Sequence, residues 1–137
     1  MTKNDLKNYR ALVLELRQLQ DLVTELGASR FTVSGGDFSG MPHEAPSPGS
    51  PVERKTIRYL DALVLYQEKV AETSARLLEI EAALSSLDSP VERVVMRCRY
   101  IEGRSWVSIC AELELLGYCE RQVYYIHGAA LKKLKEL

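Results

Sequence analysis

The first part of the chain carries apolar residues at alternating steps of three and four, which places them along one face of a helix. Between Asn4 and Leu26 this register is kept by Tyr9, Leu12, Leu16, Leu19, Val23 and Leu26. Between Pro51 and Leu87 it is kept by Val52, Thr56, Tyr59, Leu63, Tyr66, Val70, Thr73, Leu77, Ile80, Leu84 and Leu87. These are heptad seams, so we predict two long helices paired as an antiparallel, coiled-coil-like hairpin.

The segment 27–50, between the two helices, is rich in glycine and proline, which favour neither a helix nor a central strand. We predict a loop here, either a flexible connector or a segment with a function of its own, because loops of this length are uncommon in compact domains.

The two predicted long helices differ in length. At 1.5 Å per residue, helix 1 would span roughly 35 Å and helix 2 roughly 55 Å, an overhang of about 20 Å. Leu63, Tyr66 and Val70 would then be covered either by helix 1 or by a second chain. Because exposed seam residues would forgo burial, we predict a homodimer formed through helices 1 and 2.

The pentapeptide SPVER occurs twice, at 50–54 and at 89–93. Serine favours the N-cap of a helix, proline the first helical position, and glutamate the third position of a capping box. Both copies therefore predict helix starts, at Pro51 and Pro90.

Three shorter helices follow. Helix 3 runs from Pro90 to Gly103, helix 4 starts at Ser105 and stops at Gly117, and helix 5 covers 120–136. The inner face of helix 5 is predicted to consist of Val123, Ile126, Ala130 and Leu134. The predicted fold is therefore all-α, with a hairpin over 1–88 followed by a three-helix helix-turn-helix domain over 89–137.

The stretch between helices 4 and 5 has the spacing of a helix-turn-helix. Gly117 can turn the chain with a positive φ, Cys119 takes the cap position, and Gln122 stands where a capping box has its third residue. Val123 and Ile126 follow the glycine by six and nine positions, which would pack helix 5 on helix 4.

With Val123 and Ile126 inward, four residues at the start of helix 5 face outward. These are Glu120, Arg121, Tyr124 and Tyr125. That part of a recognition helix enters the DNA major groove, where arginine can bind guanine and glutamate can accept from cytosine. Alternatively, the two tyrosines pack against helix 3 or another subunit. We expect Trp106 to anchor the core between helices 3 and 4, and His127 to be a partly buried structural histidine rather than a phosphate contact.

The charge distribution adds a weak preference for an anionic partner. Residues 91–137 carry 8 Lys/Arg against 6 Asp/Glu, whereas residues 1–90 carry 10 against 13. Lys132 and Lys133, near the end of helix 5, either follow DNA phosphates or form a solvated helix end.

Several classes of function have no support in the sequence. No Ser/His/Asp set, metal-ligand cluster or phosphate loop is present, so we expect neither enzymatic activity nor a metal or cofactor. The three cysteines lack CxxC spacing and fit free thiols in a reducing cytoplasm. The polar N-terminus predicts no signal peptide, and the absence of a long apolar run predicts no membrane span.

RYIEGRSWVSIC followed by GYCERQVYYIHGAALKKL resembles the C-terminal DNA-binding region of bacterial sigma factors. It is more similar still to phage regulators of late transcription of the RinA/ArpU type, which NDLKNYR, SGMP and SPVER also resemble. Two features depart from that pattern: helix 4 has about three extra residues before the glycine, and Cys119 replaces the usual capping serine.

The resemblance implies a sequence-specific transcription regulator of phage or prophage genes, acting in the cytoplasm of the bacterial host cell. It implies double-stranded DNA and RNA polymerase as partners. Glu120, Arg121, Tyr124 and Tyr125 would read bases, and Arg104, Ser105 and Gln122 would contact the DNA backbone. Two alternatives stay open: the DNA-recognition (small) subunit of a phage packaging terminase, or a sigma-like protein-interaction module.

Overall fold

The computed structural model describes residues 1–31 and 51–137, and all regular structure in these residues is helical. The elements are α1 (Lys3–Phe31), α2 (Pro51–Ser85), α3 (Pro90–Met96), a π-helical segment (Arg97–Ile101), α4 (Trp106–Glu114) and α5 (Glu120–Lys135). The predicted all-α class is confirmed. Within the described part of the chain, no helix combines the length and apolarity needed to cross a membrane.

The two long helices pack against each other in antiparallel order, as the heptad seams predict. Leu6 near the start of α1 shares a buried cluster with Leu84 near the end of α2. Further along α1, the Glu15 carboxylate lies 3.4 Å from the Lys69 ammonium group of α2.

Helix α1 is longer than predicted, because residues 27–31 are helical and do not begin the loop. Gly27 lies against the ring of Tyr59 on α2, and a Cβ at this position would come within 3.0 Å of the ring. The glycine therefore allows a close helix–helix approach and does not mark the helix end. The rest of the predicted loop, 32–50, lies outside the described residues.

The overhang of α2 is correspondingly smaller than expected. With 29 residues in α1 and 35 in α2, the helices differ by about 9 Å at 1.5 Å per residue, so the argument from a 20 Å overhang is wrong. Leu63, Tyr66 and Val70 are already half-buried within the chain. The more exposed apolar residues of this part of α2 are Ile57, Leu60 and Val64, at i, i+3 and i+7 on another face.

The described residues form two compact units, one of residues 1–14 with 72–137 and the other of residues 15–71. The sequence predicted two domains that follow one another along the chain, with the boundary between residues 88 and 89. The two units of the structure are instead defined by contacts between residues, and the first of them combines both ends of the chain. The first unit contains a buried cluster to which α1, α2, α3, the π-helical segment and α5 all contribute. Its buried members are Leu6, Tyr9, Ile80, Leu84, Leu87, Met96, Tyr100, Ala130 and Leu134.

A second buried cluster in the same unit joins the three C-terminal helices. Val95 and Cys98 meet Ile109 and Leu113 of α4, and Val123 of α5 completes the cluster. This arrangement is the core expected of a three-helix helix-turn-helix, and it fixes which side of α5 faces away.

The start of α3 differs from prediction in one respect. Pro90 is its first residue, as expected, but the side chain of Ser89 makes no capping hydrogen bond. Glu92 is buried and binds Lys133 of α5. The predicted capping box is therefore wrong here, because a lysine distant in sequence takes the carboxylate.

The chain after α3 widens into a π-helical turn before Gly103 ends the helix. The Glu102 N–H donates to the Arg97 carbonyl at 3.0 Å, a five-residue step typical of a π-helix. Gly103 has φ +69°, and a Cβ there would collide with the Arg10 guanidinium of α1. Arg10 Nη1 donates to the Ile101 carbonyl at 3.0 Å, so this turn is tied to α1.

Candidate nucleic-acid interface

Helix α4 is capped by residues that were predicted to contact the DNA backbone. The Ser105 hydroxyl accepts from the Ser108 N–H at 3.2 Å, the interaction expected of an N-cap serine. The Arg104 guanidinium donates to the Ser108 hydroxyl at 2.9 Å and also binds Glu112. That hydrogen bond to Glu112 raises the pKa of Arg104. Both side chains therefore have partners within the fold.

The turn between α4 and α5 is a Schellman motif. Gly117 adopts φ +89°, as predicted. The Tyr118 N–H donates to the Leu113 carbonyl at 3.1 Å, and the Gly117 N–H donates to the Glu114 carbonyl at 3.0 Å. Tyr118 packs against the cluster that contains Leu113, which is the apolar contact typical of this motif. The additional residues before the glycine include Leu115 and Leu116, whose side chains are exposed.

The start of α5 uses Gln122 as its capping partner. Its side-chain oxygen accepts from the Cys119 N–H at 2.8 Å, the interaction expected of the third residue of a capping box. Gln122 is exposed, but its amide oxygen serves this local contact.

The inner face of α5 agrees closely with the predicted one. Val123, Ala130 and Leu134 are fully buried, and Ile126 is partly buried against the second cluster. His127 is buried as well, and its Nε2 shares a 2.8 Å hydrogen bond with the Tyr100 hydroxyl. Burial lowers the pKa of His127 to about 4, with smaller contributions from Lys3 and Arg99, so the imidazole is neutral at pH 7.

The opposite face of α5 carries the outward stripe, which we define as Arg121, Tyr125, Gly128 and Lys132. These residues follow one another at i, i+4, i+7 and i+11, and all are exposed, Tyr125 by 78%. In the part of the chain that the structure describes, the side chains of Arg121 and Lys132 form neither a hydrogen bond nor an ion pair. The stripe thus presents two uncompensated cations and a phenol at the surface.

The other two predicted base-reading residues lie to the side of this stripe. Glu120 and Tyr124 line a cavity of about 640 Å³ between α4 and α5. Tyr124 packs on Trp106, with ring centroids 5.0 Å apart, and remains 43% exposed. The structure therefore brings Arg121 and Tyr125 together on one face and gives Tyr124 an intramolecular partner.

Trp106 lies at the centre of an aromatic group, of which the sequence predicted only that Trp106 itself would be an anchor of the core. Its ring lies 4.7 Å from that of His127, and the Arg99 guanidinium carbon lies 4.8 Å from its centroid. It is half-buried and touches the second cluster. Trp106 is therefore an anchor, but it connects α4 with α5 and the π-helical segment.

Lys132 and Lys133 are adjacent in sequence but have different environments. Lys133 Nζ donates to both carboxylate oxygens of Glu92, at 2.9 and 3.1 Å, and this pair joins α5 to α3. The hydrogen bond to Glu92 raises the pKa of Lys133. Lys132 belongs to the outward stripe, so of these two lysines it is the one whose ammonium group can bind a partner molecule.

Gly128 allows a test of whether the fold itself requires a glycine on this face of α5. It lies inside α5, and a Cβ there would meet no atom within 4 Å. Because glycine in a helix interior costs about 0.5–1 kcal/mol relative to alanine, Gly128→Ala should raise the free energy of unfolding by that amount. Chemical denaturation followed by circular dichroism measures this free energy. A variant less stable than the wild type would show that the fold requires glycine at position 128.

Sequence reasoning missed the cations of other elements that lie near Trp106 and His127. Lys3, Lys7 and Arg10 of α1 and Arg99 of the π-helical segment line one cavity with these two residues. The only signal in the sequence was the spacing of the three α1 residues at i, i+4 and i+7, which places them on one helix face.

Comparison of the chain with protein-family models, with curated proteins and with solved structures finds no match.

Proposed function

We propose that the chain is a sequence-specific DNA-binding transcription regulator that reads double-stranded DNA with α5. The observation that carries the proposal is the outward stripe: exposed, uncompensated cations and a phenol on one face of a helix whose other face is buried against α3, α4 and the ends of α1 and α2. A surface of this kind at the second helix of a helix-turn-helix fits the major groove.

Each residue of the stripe has a role in this proposal. Arg121 donates two hydrogen bonds to O6 and N7 of guanine, the commonest specific contact of arginine. Tyr125 contacts a thymine methyl group or donates to a phosphate. Gly128 leaves room for the DNA backbone to approach, which supplies a reason for a glycine that the fold does not need. Lys132 neutralises a phosphate.

Glu120 and Tyr124 complete the base-reading set from the side of the stripe. The Glu120 carboxylate can accept from cytosine N4. Tyr124, held by Trp106 at 5.0 Å, would present its hydroxyl with little loss of side-chain entropy on binding. The assignment of Arg104, Ser105, Gln122 and Lys133 to backbone contacts has weaker support, since all four have partners within the fold.

The biological setting rests on the resemblance to sigma-factor DNA-binding regions and to phage late-transcription regulators. It supports a role on phage or prophage promoters in the bacterial cytoplasm, with RNA polymerase as a further partner. No enzymatic step is part of this proposal.

DNA recognition is tested by selecting bound duplexes from a random pool and then measuring affinities at several salt concentrations. Arg121→Ala should weaken the preferred site by about 1–3 kcal/mol and relax one base position. Lys132→Ala should weaken all duplexes alike and flatten the salt dependence. Arg17→Ala, an exposed arginine of α1, removes the same charge elsewhere and serves as the control. An Arg121→Ala protein with unchanged base preference would refute the assignment of the groove face.

We also propose that the chain is a homodimer through the exposed face of α2 that contains Ile57, Leu60 and Val64. These side chains are each about half exposed and follow at i, i+3 and i+7, so a second copy would remove a continuous apolar strip from water. Two-fold symmetry would give two recognition helices for paired half-sites.

The dimer is tested by mass measurement in solution at micromolar concentration. The wild type should have twice the chain mass of 15.5 kDa, and Ile57→Asp/Val64→Asp should have the mass of one chain. Val107→Asp, on the exposed side of α4, should leave the dimer intact. A wild-type monomer would contradict the proposal, and a ring of about eight or more subunits would favour the DNA-packaging role.

A second candidate, a protein-interaction module, is favoured by one observation. Val107, Leu115 and Leu116 of α4 and the following turn are strongly exposed, and Val107 also lines the 640 Å³ cavity between α4 and α5. Apolar side chains grouped in this way suit a protein partner. Complete absence of salt-dependent DNA binding would favour this candidate over a DNA-reading role.

A further inference from the structure

A basic pocket of about 360 Å³ lies within the first compact unit, beside α5 but away from the outward stripe. Its charged wall is made by Lys3, Lys7 and Arg10 of α1 together with Arg99 of the π-helical segment. Its remaining wall includes the aromatic rings of Tyr100, Trp106 and His127.

The side chains of the four cations in the basic pocket have no carboxylate partner within residues 1–31 and 51–137. Arg10 Nη1 donates to the Ile101 carbonyl at 3.0 Å, and Arg99 Nη1 donates to the Arg104 carbonyl at 3.1 Å. Both guanidinium groups are thereby positioned without being neutralised. Among the described residues, the side chains of Lys3 and Lys7 form neither a hydrogen bond nor an ion pair, and no Asp or Glu lines the pocket.

The electrostatic effect of these cations is visible at His127. Lys3 and Arg99 both lower its pKa, in addition to the larger effect of burial. The four cations around one concavity create a positive potential there, which attracts an anion. Like charges that share one concavity repel one another, and a bound anion would relieve that repulsion.

The aromatic residues of the pocket are already engaged within the fold. Trp106 contacts Arg99, Tyr124 and His127, and the Tyr100 hydroxyl is hydrogen-bonded to His127. The pocket therefore offers charge and hydrogen-bond donors, whereas its rings are not free to stack on a nucleobase. Its volume is on the order of ten times that of one water molecule in the liquid, which is enough for more than one phosphoryl group.

We propose that the basic pocket binds a phosphate group, with Lys3, Lys7, Arg10 and Arg99 as its ligands. Guanidinium and ammonium groups donate charge-assisted hydrogen bonds to phosphate oxygens, the strongest class of hydrogen bond in proteins. The phosphate belongs either to a free phosphate compound or to a nucleic-acid backbone. This inference does not rest on the reading of DNA by α5.

Trp106 makes the site directly measurable, because it is the only tryptophan of the chain and lines the pocket. Pyrophosphate is titrated at constant ionic strength, with Trp106 fluorescence and calorimetry as independent readouts. The wild type should show saturable binding. Lys3→Gln/Lys7→Gln should bind on the order of tenfold or more weakly, since it loses two charge-assisted contacts. Arg17→Gln/Lys55→Gln removes two cations outside the pocket and should bind like the wild type.

A second arm separates the two sources of the phosphate. If Lys3→Gln/Lys7→Gln also weakens duplex DNA binding, and pyrophosphate competes with the duplex, the site takes a backbone phosphate. If duplex binding is unchanged while pyrophosphate binding is lost, the ligand is a free phosphate compound. Absence of pyrophosphate binding by both readouts, or equal binding by the two double variants, would overturn the proposal. The pyrophosphate arm contains no DNA, so its result is independent of the proposed function.

Discussion

Replacing Leu84 with alanine should lower the free energy of unfolding by about 2–5 kcal/mol, the cost of truncating a buried leucine. Leu84 is fully buried and shares its cluster with Leu6 of α1, Met96 of α3 and Leu134 of α5. A small domain has only about 5–15 kcal/mol of stability in total. The variant should therefore unfold at a much lower denaturant concentration, as measured by circular dichroism at 25 °C.

The same experiment tests whether the C-terminal helices depend on the ends of α1 and α2. Trp106 lies at the other cluster of the same unit, so its fluorescence transition should shift together with the circular dichroism signal. Leu78→Ala is the matched control, because this leucine of α2 is strongly exposed and surface substitutions change stability by about 0.5 kcal/mol or less. If the fluorescence transition of Leu84→Ala stays where it is in the wild type, the helix-turn-helix is stable without the hairpin.

Lowering the pH from 7.5 to 5.0 should destabilise the protein by about 2 kcal/mol through His127 alone. The folded pKa of His127 is about 4, whereas an unfolded histidine titrates near pH 6.5. Between these values the unfolded chain binds a proton that the folded chain does not. Stability from this source is therefore complete above about pH 6.5 and falls as the pH drops towards 4.

Urea denaturation of the wild type and of His127→Gln at both pH values measures this contribution. Glutamine can still hydrogen-bond the Tyr100 hydroxyl but cannot titrate, so the pH-dependent loss should shrink by about 2 kcal/mol in the variant. Groups other than His127 are shared by the two proteins and cancel in the comparison. Equal pH dependence in wild type and variant would show that His127 keeps an ordinary pKa.

The secondary structure follows from local signals in the sequence. The apolar periodicity predicted both long helices and their antiparallel pairing, and the glycines at 103 and 117 marked two helix ends. These signals work because a helix face and a positive φ depend on residues only a few positions apart. The inner face of α5 was predicted for the same reason, and with it the exposure of Arg121 and Tyr125.

The features that the sequence failed to predict depend on contacts between residues that are far apart in the chain. Gly27 lies inside α1, where the missing side chain makes room for the ring of Tyr59, and the Glu92 carboxylate binds Lys133 of α5 and does not cap α3. Tyr124 is partly covered because Trp106 lies beside it. In each case the deciding partner is distant in sequence, and no local spacing indicates it.

The sequence by itself determined the helices, the turn at Gly117 and the exposure of Arg121 and Tyr125 on α5, since each depends on local periodicity and backbone geometry. Only the tertiary structure decided which polar side chains have partners. It assigned Lys133 to Glu92, 41 residues away, whereas the side chains of Arg121 and Lys132 have no hydrogen-bond or ion-pair partner among the described residues. It also gathered cations of α1 and of the π-helical segment into one pocket. The physical reason is that electrostatic partnership depends on distance in space, which the fold sets and the chain order does not.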